Sequence, residues 1–133
     1  MFNHVVVGSN DLARSRRFYD AVLATLGFAG EATHNVAKSG HERLFYRHDG
    51  AALVVTQPID GAPASPANGG TIGFRCTSPQ QVRAFHDAGV AHGGTSIEDP
   101  PGERDAGSPG SRHLAYLRDP DGNKLCAIWK EQA

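Results

Sequence analysis

His113-Leu-Ala-Tyr-Leu-Arg-Asp-Pro-Asp-Gly-Asn-Lys-Leu-Cys-Ala-Ile-Trp-Lys130 reads as two strands around a tight turn. Leu114 to Leu117 and Leu125 to Trp129 are apolar and rich in residues that favour strands. Between them, Pro120 supplies a pre-set φ and Gly122 a residue free to take positive φ. The outgoing strand alternates. Leu125, Ala127 and Trp129 share one face, and Cys126, Ile128 and Lys130 share the other. One face must meet a core, which leaves the face carrying Cys126 for function.

Working outward, the same pattern occurs earlier in the chain. Arg43 to Arg47 is a strand, Asp49-Gly50 a hairpin turn, and Ala51 to Gln57 the returning strand. Asp49-Gly50-Ala-Ala-Leu-Val-Val aligns with Asp121-Gly122-Asn-Lys-Leu-Cys-Ala, which sets Val54 opposite Cys126 in the repeat. Tyr46 and Tyr116 then fall at related places, allowing for two extra residues in the second turn. A helix precedes each hairpin. Phe18-Tyr-Asp-Ala-x-x-Ala-x-x-Gly27 matches Phe85-His-Asp-Ala-x-x-Ala-x-x-Gly94, an alignment that places His4 on Thr71.

The first helix shows Leu12, Ser15, Phe18/Tyr19, Val22 and Leu26 at helical spacing, with Arg14, Arg16 and Arg17 read as a solvated face. The second begins at Ser78-Pro-Gln-Gln81, with a serine cap, proline at the first position and glutamine three residues on. A strand stands before each helix, Phe2 to Val7 and Thr71 to Cys76. The fold expected is α+β: two tandem βαβββ modules, 1–57 and 71–133, joined by the Pro/Gly-rich linker 58–70. Each module alone is too small for a good core, so the two must pair, within one chain or between chains. Residues 99–112, with prolines at 100, 101 and 109, read as a long loop able to act as a lid.

Composition narrows the function classes. The chain has 133 residues, 39% hydrophobic and 20% charged, as a globular protein has. Its net charge of −1 supplies no field for nucleic acid or an anionic membrane. It has no apolar run of about 20 residues to span a bilayer. No secretory signal is visible at its start, and its two cysteines, Cys76 and Cys126, have no metal-finger or redox spacing. A cytoplasmic protein with two free thiols is expected.

Asp11-Leu12, Ser15, Phe18-Tyr19, Leu26-Gly27 and Asp119 to Leu125 resemble the vicinal oxygen chelate superfamily. That group contains glyoxalase I, the fosfomycin and bleomycin resistance proteins and the extradiol dioxygenases. The resemblance covers nearly the whole chain and implies a half-open β-cup, often dimeric. In the metal-dependent members, divalent ions sit on His, Gln or Glu at four places, on the first and last strand of each module. Here those places hold His4, Val54, Thr71 and Cys126, and only His4 fits. A carboxylate that also serves as general base in glyoxalase-like members is missing at both last-strand places.

The expected function is therefore binding of a small organic molecule in the cup by a homodimer, with no metal cofactor and no nucleic-acid or membrane partner. His4, Thr71, Arg75, Tyr46, Tyr116 and Cys126 would line the site. Arg75, on the face of Thr71, suits a carboxylate or phosphate, and the tyrosines offer ring faces and hydroxyl donors. Two alternatives remain open. One is a metal-dependent lyase or resistance transferase using unconventional ligands around His4. The other is thiol chemistry at Cys126, which needs a lowered pKa.

Overall fold

The computed structural model describes residues 1–104 and 110–131. The first module comprises β1 (His4–Gly8), α1 (Leu12–Ala24), β2 (Thr33–Val36), β3 (Glu42–His48) and β4 (Ala51–Thr56). The second comprises β5 (Ile72–Arg75), α2 (Pro79–Ala91), β6 (Thr95–Arg104), β7 (Arg112–Arg118) and β8 (Lys124–Lys130). Each builds a four-stranded mixed sheet, in the orders β1-β4-β3-β2 and β5-β8-β7-β6. These are the two tandem βαβββ modules of a half-open β-cup.

The strand register confirms the internal repeat. Val6 pairs with Val54 in parallel, and Gly73 pairs with Cys126 in parallel. Val54 and Cys126 are therefore equivalent, as the hairpin alignment implies, and so are β1 and β5. The register corrects one correspondence. Phe45, not Tyr46, lies across from Val54, whereas Tyr116 lies across from Cys126. The partner of Tyr116 in the repeat is thus Phe45. Side chains alternate along a strand, so a one-residue slip transfers Tyr46 to the opposite face of the sheet.

Both helices start as their sequences dictate. The Asp11 carboxylate accepts from the Arg14 amide, and the Ser78 hydroxyl accepts from the Gln81 amide, with Pro79 in the first helical turn. The Gln81 side chain accepts from the Thr77 amide and donates to the Thr25 carbonyl, so the second helix start also grips the end of the first helix.

One core runs through both modules. Phe18, Tyr19 and Val22 of α1 are fully buried together with Val82 and Phe85 of α2 and Leu117 and Leu125 of the second sheet. The helices approach at Gly89. A Cβ there would sit 2.3 Å from Leu117 Cδ1 and 3.1 Å from Phe18 Cε2. By the helix repeat Gly89 is the counterpart of Val22, so one module supplies the bulk and the other the gap that receives it.

The 119–123 turn is a clasp between modules. Asp119 is buried, and its carboxylate accepts from the Asp121 and Asn123 amides, each at 2.9 Å, from Asn123 Nδ2 at 2.8 Å and from the Tyr19 hydroxyl of α1. Asp121 accepts from the Asn10 amide at 2.8 Å, Arg14 Nη2 at 2.8 Å and the Ser15 hydroxyl at 3.1 Å. Asn123 donates to the Gly8 carbonyl. Arg14 therefore belongs to this clasp rather than to a purely solvated basic face. Its acidic partner stands where the exposed N-terminus of a helix favours negative charge.

In the expected 99–112 loop, residues 99–104 and 112 are strand. β6 continues through Arg104 and pairs Gly102, Glu103 and Arg104 with Leu114, His113 and Arg112. The register shifts between Ile97 and Gly102, and Glu98 takes φ +59 there. This bulge absorbs Pro100 and Pro101, which have no N–H to give a ladder. The Arg104 guanidinium ties the bulge together by donating to the Asp99, Pro100 and Gly102 carbonyls. The remainder of the lid expectation, 105–109, lies outside the described residues.

Candidate functional site: the outer faces of the two sheets

Each sheet turns one face to the helices and leaves the other open. On the first sheet, Val5, Val7, Leu44, Tyr46, Leu53 and Val55 face inward to the core. Period-two alternation then turns His4 and Val6 of β1, Arg43, Phe45 and Arg47 of β3, and Ala52, Val54 and Thr56 of β4 outward. These side chains line a recess of about 450 Å³, closed at one side by His41, Gln57 and Ile59.

Its centre is Phe45. The guanidinium carbons of Arg43 and Arg47, its neighbours two residues away on either side, lie 5.1 Å and 4.8 Å from the ring centroid. That is cation–π distance. Arg43 is held by Asn35 Oδ1, which accepts from its Nε at 3.1 Å and its Nη2 at 2.5 Å.

On the second sheet the outward set is Gly73 and Arg75 of β5, Leu114 and Tyr116 of β7, and Cys126 and Ile128 of β8. Lys124 Nζ sits 4.7 Å above the Tyr116 ring and pairs with Glu98 Oε2 at 2.5 Å. A large open recess of about 1150 Å³ runs along the β5 edge, lined by Gly73, Arg75, Ile128 and Lys130. A smaller one, of about 270 Å³, lies between β1 and Thr71-Ile72 beside the linker.

The six expected site residues therefore separate. His4, on the first sheet, shares its recess with Val54, Thr71 lines the small recess between the modules, and Arg75 lines the edge of the second sheet. Tyr116 and Cys126 are cross-strand partners on the outer face of that sheet. Tyr46 is a correction. It is 2% exposed and packs against Tyr19 and Phe28, and its hydroxyl donates to Asp20 Oδ1 at 2.8 Å. Burial, and then the Asp20 hydrogen bond, push its pKa far up, as suits a core hydroxyl. Phe45 is the residue that sequence reasoning missed. The signal was the alternation Arg43-x-Phe45-x-Arg47, which puts two cations and a ring on one strand face.

The donors do not fit a metal. His4 is exposed and its Nδ1 lies 2.7 Å from Asn3 Oδ1. Val54 offers no donor, and Thr71 and Cys126 belong to other parts of the surface. Among the described residues no group of three or more His, Cys, Asp or Glu side chains could hold an ion, whereas a protein metal site needs about three or four converging donors. Of the other histidines, His34 meets Glu42 Oε1 at 2.8 Å, His86 is buried between Ser96 Oγ and Asp87 Oδ1, and His113 stacks edge-on to Trp129 with its buried Nδ1 unpartnered among the described residues.

Nor is Cys126 poised as a nucleophile. It is 6% exposed, and burial pushes its thiol pKa up, against opposing effects of the Tyr116 hydroxyl and Lys124. Cys76, in the core, is pushed up to about 11, chiefly by burial. Reactive thiols need a shift in the other direction. The neighbouring Cys126 sulfur, ahead of burial, raises Tyr116 in turn.

Comparison with known proteins agrees with this architecture. The sequence profile of the Glyoxalase/Bleomycin resistance protein/Dioxygenase superfamily matches residues 1–127. The chain belongs to this superfamily. A glyoxalase/bleomycin resistance protein from Albidiferax ferrireducens T118 is 55% identical, with 96% of this chain and 98% of that one covered and a TM-score of 0.86. Other glyoxalase-fold structures agree in fold at much lower identity. A glyoxalase-related enzyme from Fulvimarina pelagi is 21% identical over 96% of this chain and 86% of its own, with a TM-score of 0.65. A glyoxalase family protein from Enterococcus faecalis is 20% identical over 97% of each chain, with a TM-score of 0.64. No curated protein matches the chain. No helix among the described residues is long and apolar enough to cross a membrane. The superfamily hosts unrelated reactions on one fold, so membership establishes the architecture and leaves the chemistry to the site.

Proposed function

We propose that this glyoxalase-superfamily protein binds a small organic molecule on the open faces of its β-cup, without the divalent metal that the metal-dependent members use. The observation that carries this reading is the content of the four ligand places: an exposed imidazole, an isopropyl group, a hydroxyl and a buried thiol. The recesses beside them are open and lined by both apolar and hydrogen-bonding groups, as small-molecule sites are. His4, Thr71, Arg75, Tyr116 and Cys126 are the family-equivalent and neighbouring residues assigned to contact the ligand. Tyr46 supports the sheet from behind.

A second copy of the chain belongs to this reading. His4 with Val54, Thr71, and Arg75 line separate recesses on one chain, and apolar residues stay exposed on the first module and the start of the linker: Phe2 at 74%, Val6 at 50% and Ile59 at 75%. A homodimer that laid one module's open face against its partner would cover these side chains and enclose the ligand.

Two measurements test the proposal on the same untagged protein. The first titrates nickel, zinc, manganese and cobalt in parallel with a His4→Ala variant. No ion should bind at micromolar concentration. Binding of one ion per chain that His4→Ala abolishes overturns the metal-free reading and favours a metal-dependent enzyme. The second screens small metabolites for a rise in melting temperature, which a ligand of the native state must cause. If no compound in a chemically broad screen shifts it, the binding reading falls. Sedimentation velocity should show a dimer, and a monomer at tens of micromolar would remove the second copy.

A further inference from the structure

Beside the family places His4 and Val54, the outer face of the first sheet carries two guanidinium cations, Arg43 and Arg47, that neither the family's ligand places nor the expected site includes. Arg43 and Arg47 flank Phe45 within cation–π distance, and His4 and His41 line the same recess. None of the side chains lining it is acidic. The protein as a whole carries a net charge of −1, so this is a local arrangement. Arg47 has no side-chain hydrogen bond or ion pair among the described residues, and its guanidinium carbon lies 4.8 Å from the Phe45 ring centroid. Arg43 commits Nε and Nη2 to Asn35 and keeps Nη1 for another partner.

The remainder of the recess mixes the apolar Val6, Ala52, Val54 and Ile59 with the polar Asn3, Thr56 and Gln57. Val54 forms its floor, buried by its neighbours, and Val6 and Ile59 stand half to three-quarters exposed at its side. A planar guanidinium is a fork for carboxylate or phosphate oxygens, and it also stacks on flat π-systems. Two such forks, pre-positioned on one ring, lose little freedom when an anion arrives. The volume of about 450 Å³ falls in the range of small-ligand sites.

We propose that the Arg43–Phe45–Arg47 face is a binding site for an amphipathic anion: a small aromatic or otherwise flat apolar body bearing one carboxylate or phosphate. The anionic head lies between the guanidinium forks of Arg47 and Arg43. The flat body rests on Val6, Val54 and Ile59. The proposal rests on the small-molecule reading above and adds to it the charge, the shape and the sheet.

The test uses four naphthalene probes of one size: 1-naphthoate, 1-naphthyl phosphate, the neutral 1-naphthamide and the cation 1-naphthylmethylammonium. Binding is followed by amide chemical shifts and isothermal titration, for the wild type, Arg47→Ala, Phe45→Leu and, on the other sheet, Arg75→Ala. At least one of the two anions should bind, with shifts centred on β3 and β4. The preferred anion identifies the head group. Arg47→Ala should weaken it about tenfold, the loss expected for one charge-assisted hydrogen bond. Phe45→Leu should weaken it by a smaller factor, and Arg75→Ala should weaken it less than Arg47→Ala does. Raising the salt from 50 to 500 mM should weaken it as well.

Equal binding of the neutral amide overturns the anion assignment. Loss on Arg75→Ala with none on Arg47→Ala overturns the choice of sheet. Both of those results leave the small-molecule reading standing. Absence of binding by either anion at millimolar concentration overturns the proposal, while the metabolite screen decides the broader reading independently.

Discussion

The two hairpins of this protein have one topology and opposite employment. At the β3–β4 turn, Asp49 and Gly50 stand in solvent. The Asp49 side chain is 90% exposed and meets only His48 at 3.6 Å, and both residues take positive φ, at +50 and +77. At the β7–β8 turn, Asp119 and Asp121 are buried against the other module and accept seven hydrogen bonds between them. The same Asp-Gly signal thus serves as a simple reversal in one module and as the clasp of the whole molecule in the other. The second turn is the longer: Arg118 pairs with Lys124 across five residues, whereas His48 pairs with Ala51 across two. The longer turn carries two carboxylates that reach α1. The turn carboxylates of the motif that most clearly marks the superfamily are therefore structural in this chain, while Lys124 near its end lies over Tyr116 on the open face.

The largest effect should come from removing that clasp. Asp119→Ala leaves the Tyr19 hydroxyl and two turn amides without their acceptor in the interior and removes one of the two acceptors of Asn123 Nδ2. It should cost about 3–5 kcal/mol in urea unfolding, whereas Asp49→Ala in the other hairpin should cost less than about 0.5 kcal/mol. Equal costs would dissolve the contrast between the turns. Gly89→Val should follow, at about 2–3 kcal/mol from overpacking against Leu117 and Phe18. Val22→Ala, at the equivalent place in α1, should cost about as much through the opposite fault, a cavity.

Tyr19→Phe should be smaller, at about 1–1.5 kcal/mol. It removes one bond from the clasp and keeps the ring, and the hydroxyl is neutral at all ordinary pH because burial and Asp119 raise its pKa well above the usual value. The smallest effect concerns thiol chemistry. Iodoacetamide should modify Cys126 slowly at pH 7 and faster only as the pH rises past that of an ordinary thiol, because burial raises its pKa. Cys76, pushed up to about 11, should lag behind it. Rapid labelling of Cys126 at pH 7 would restore the nucleophile reading.

A pH effect on stability follows from the same burial. A thiol whose folded pKa is raised favours the folded state fully below its ordinary pKa, and that contribution is lost as the pH rises toward the folded value. Stability should therefore fall between about pH 9 and pH 11, and Cys76→Ala should flatten part of that fall in a series of urea titrations.

Much of this architecture was legible in the chain. The helix starts at Asp11 and Ser78, the two hairpin turns and the alternation along β8 are local patterns. Each reports a backbone preference that acts within a few residues. The repeat extended that reading to the equivalence of Val54 with Cys126, because equivalent residues must occupy equivalent places in equivalent modules. It misled where the modules differ. Allowing two extra turn residues made Tyr46 the counterpart of Tyr116; the hydrogen-bonded register has room for one and makes it Phe45. In the loop read from the prolines at 100 and 101, residues 99–104 and 112 are strand, because a bulge spares the two prolines from the ladder.

The sequence by itself determined the modules, their order, their helix caps and the lack of the family's usual ligands at Val54, Thr71 and Cys126, since these depend on residue identity and local periodicity. Only the tertiary structure decided what the buried carboxylates hold and which face each tyrosine takes. It alone showed that Arg43 and Arg47 converge on one ring. Those outcomes depend on register and on packing between residues far apart in the chain, where a shift of one position in a strand moves a side chain from the core to the open face.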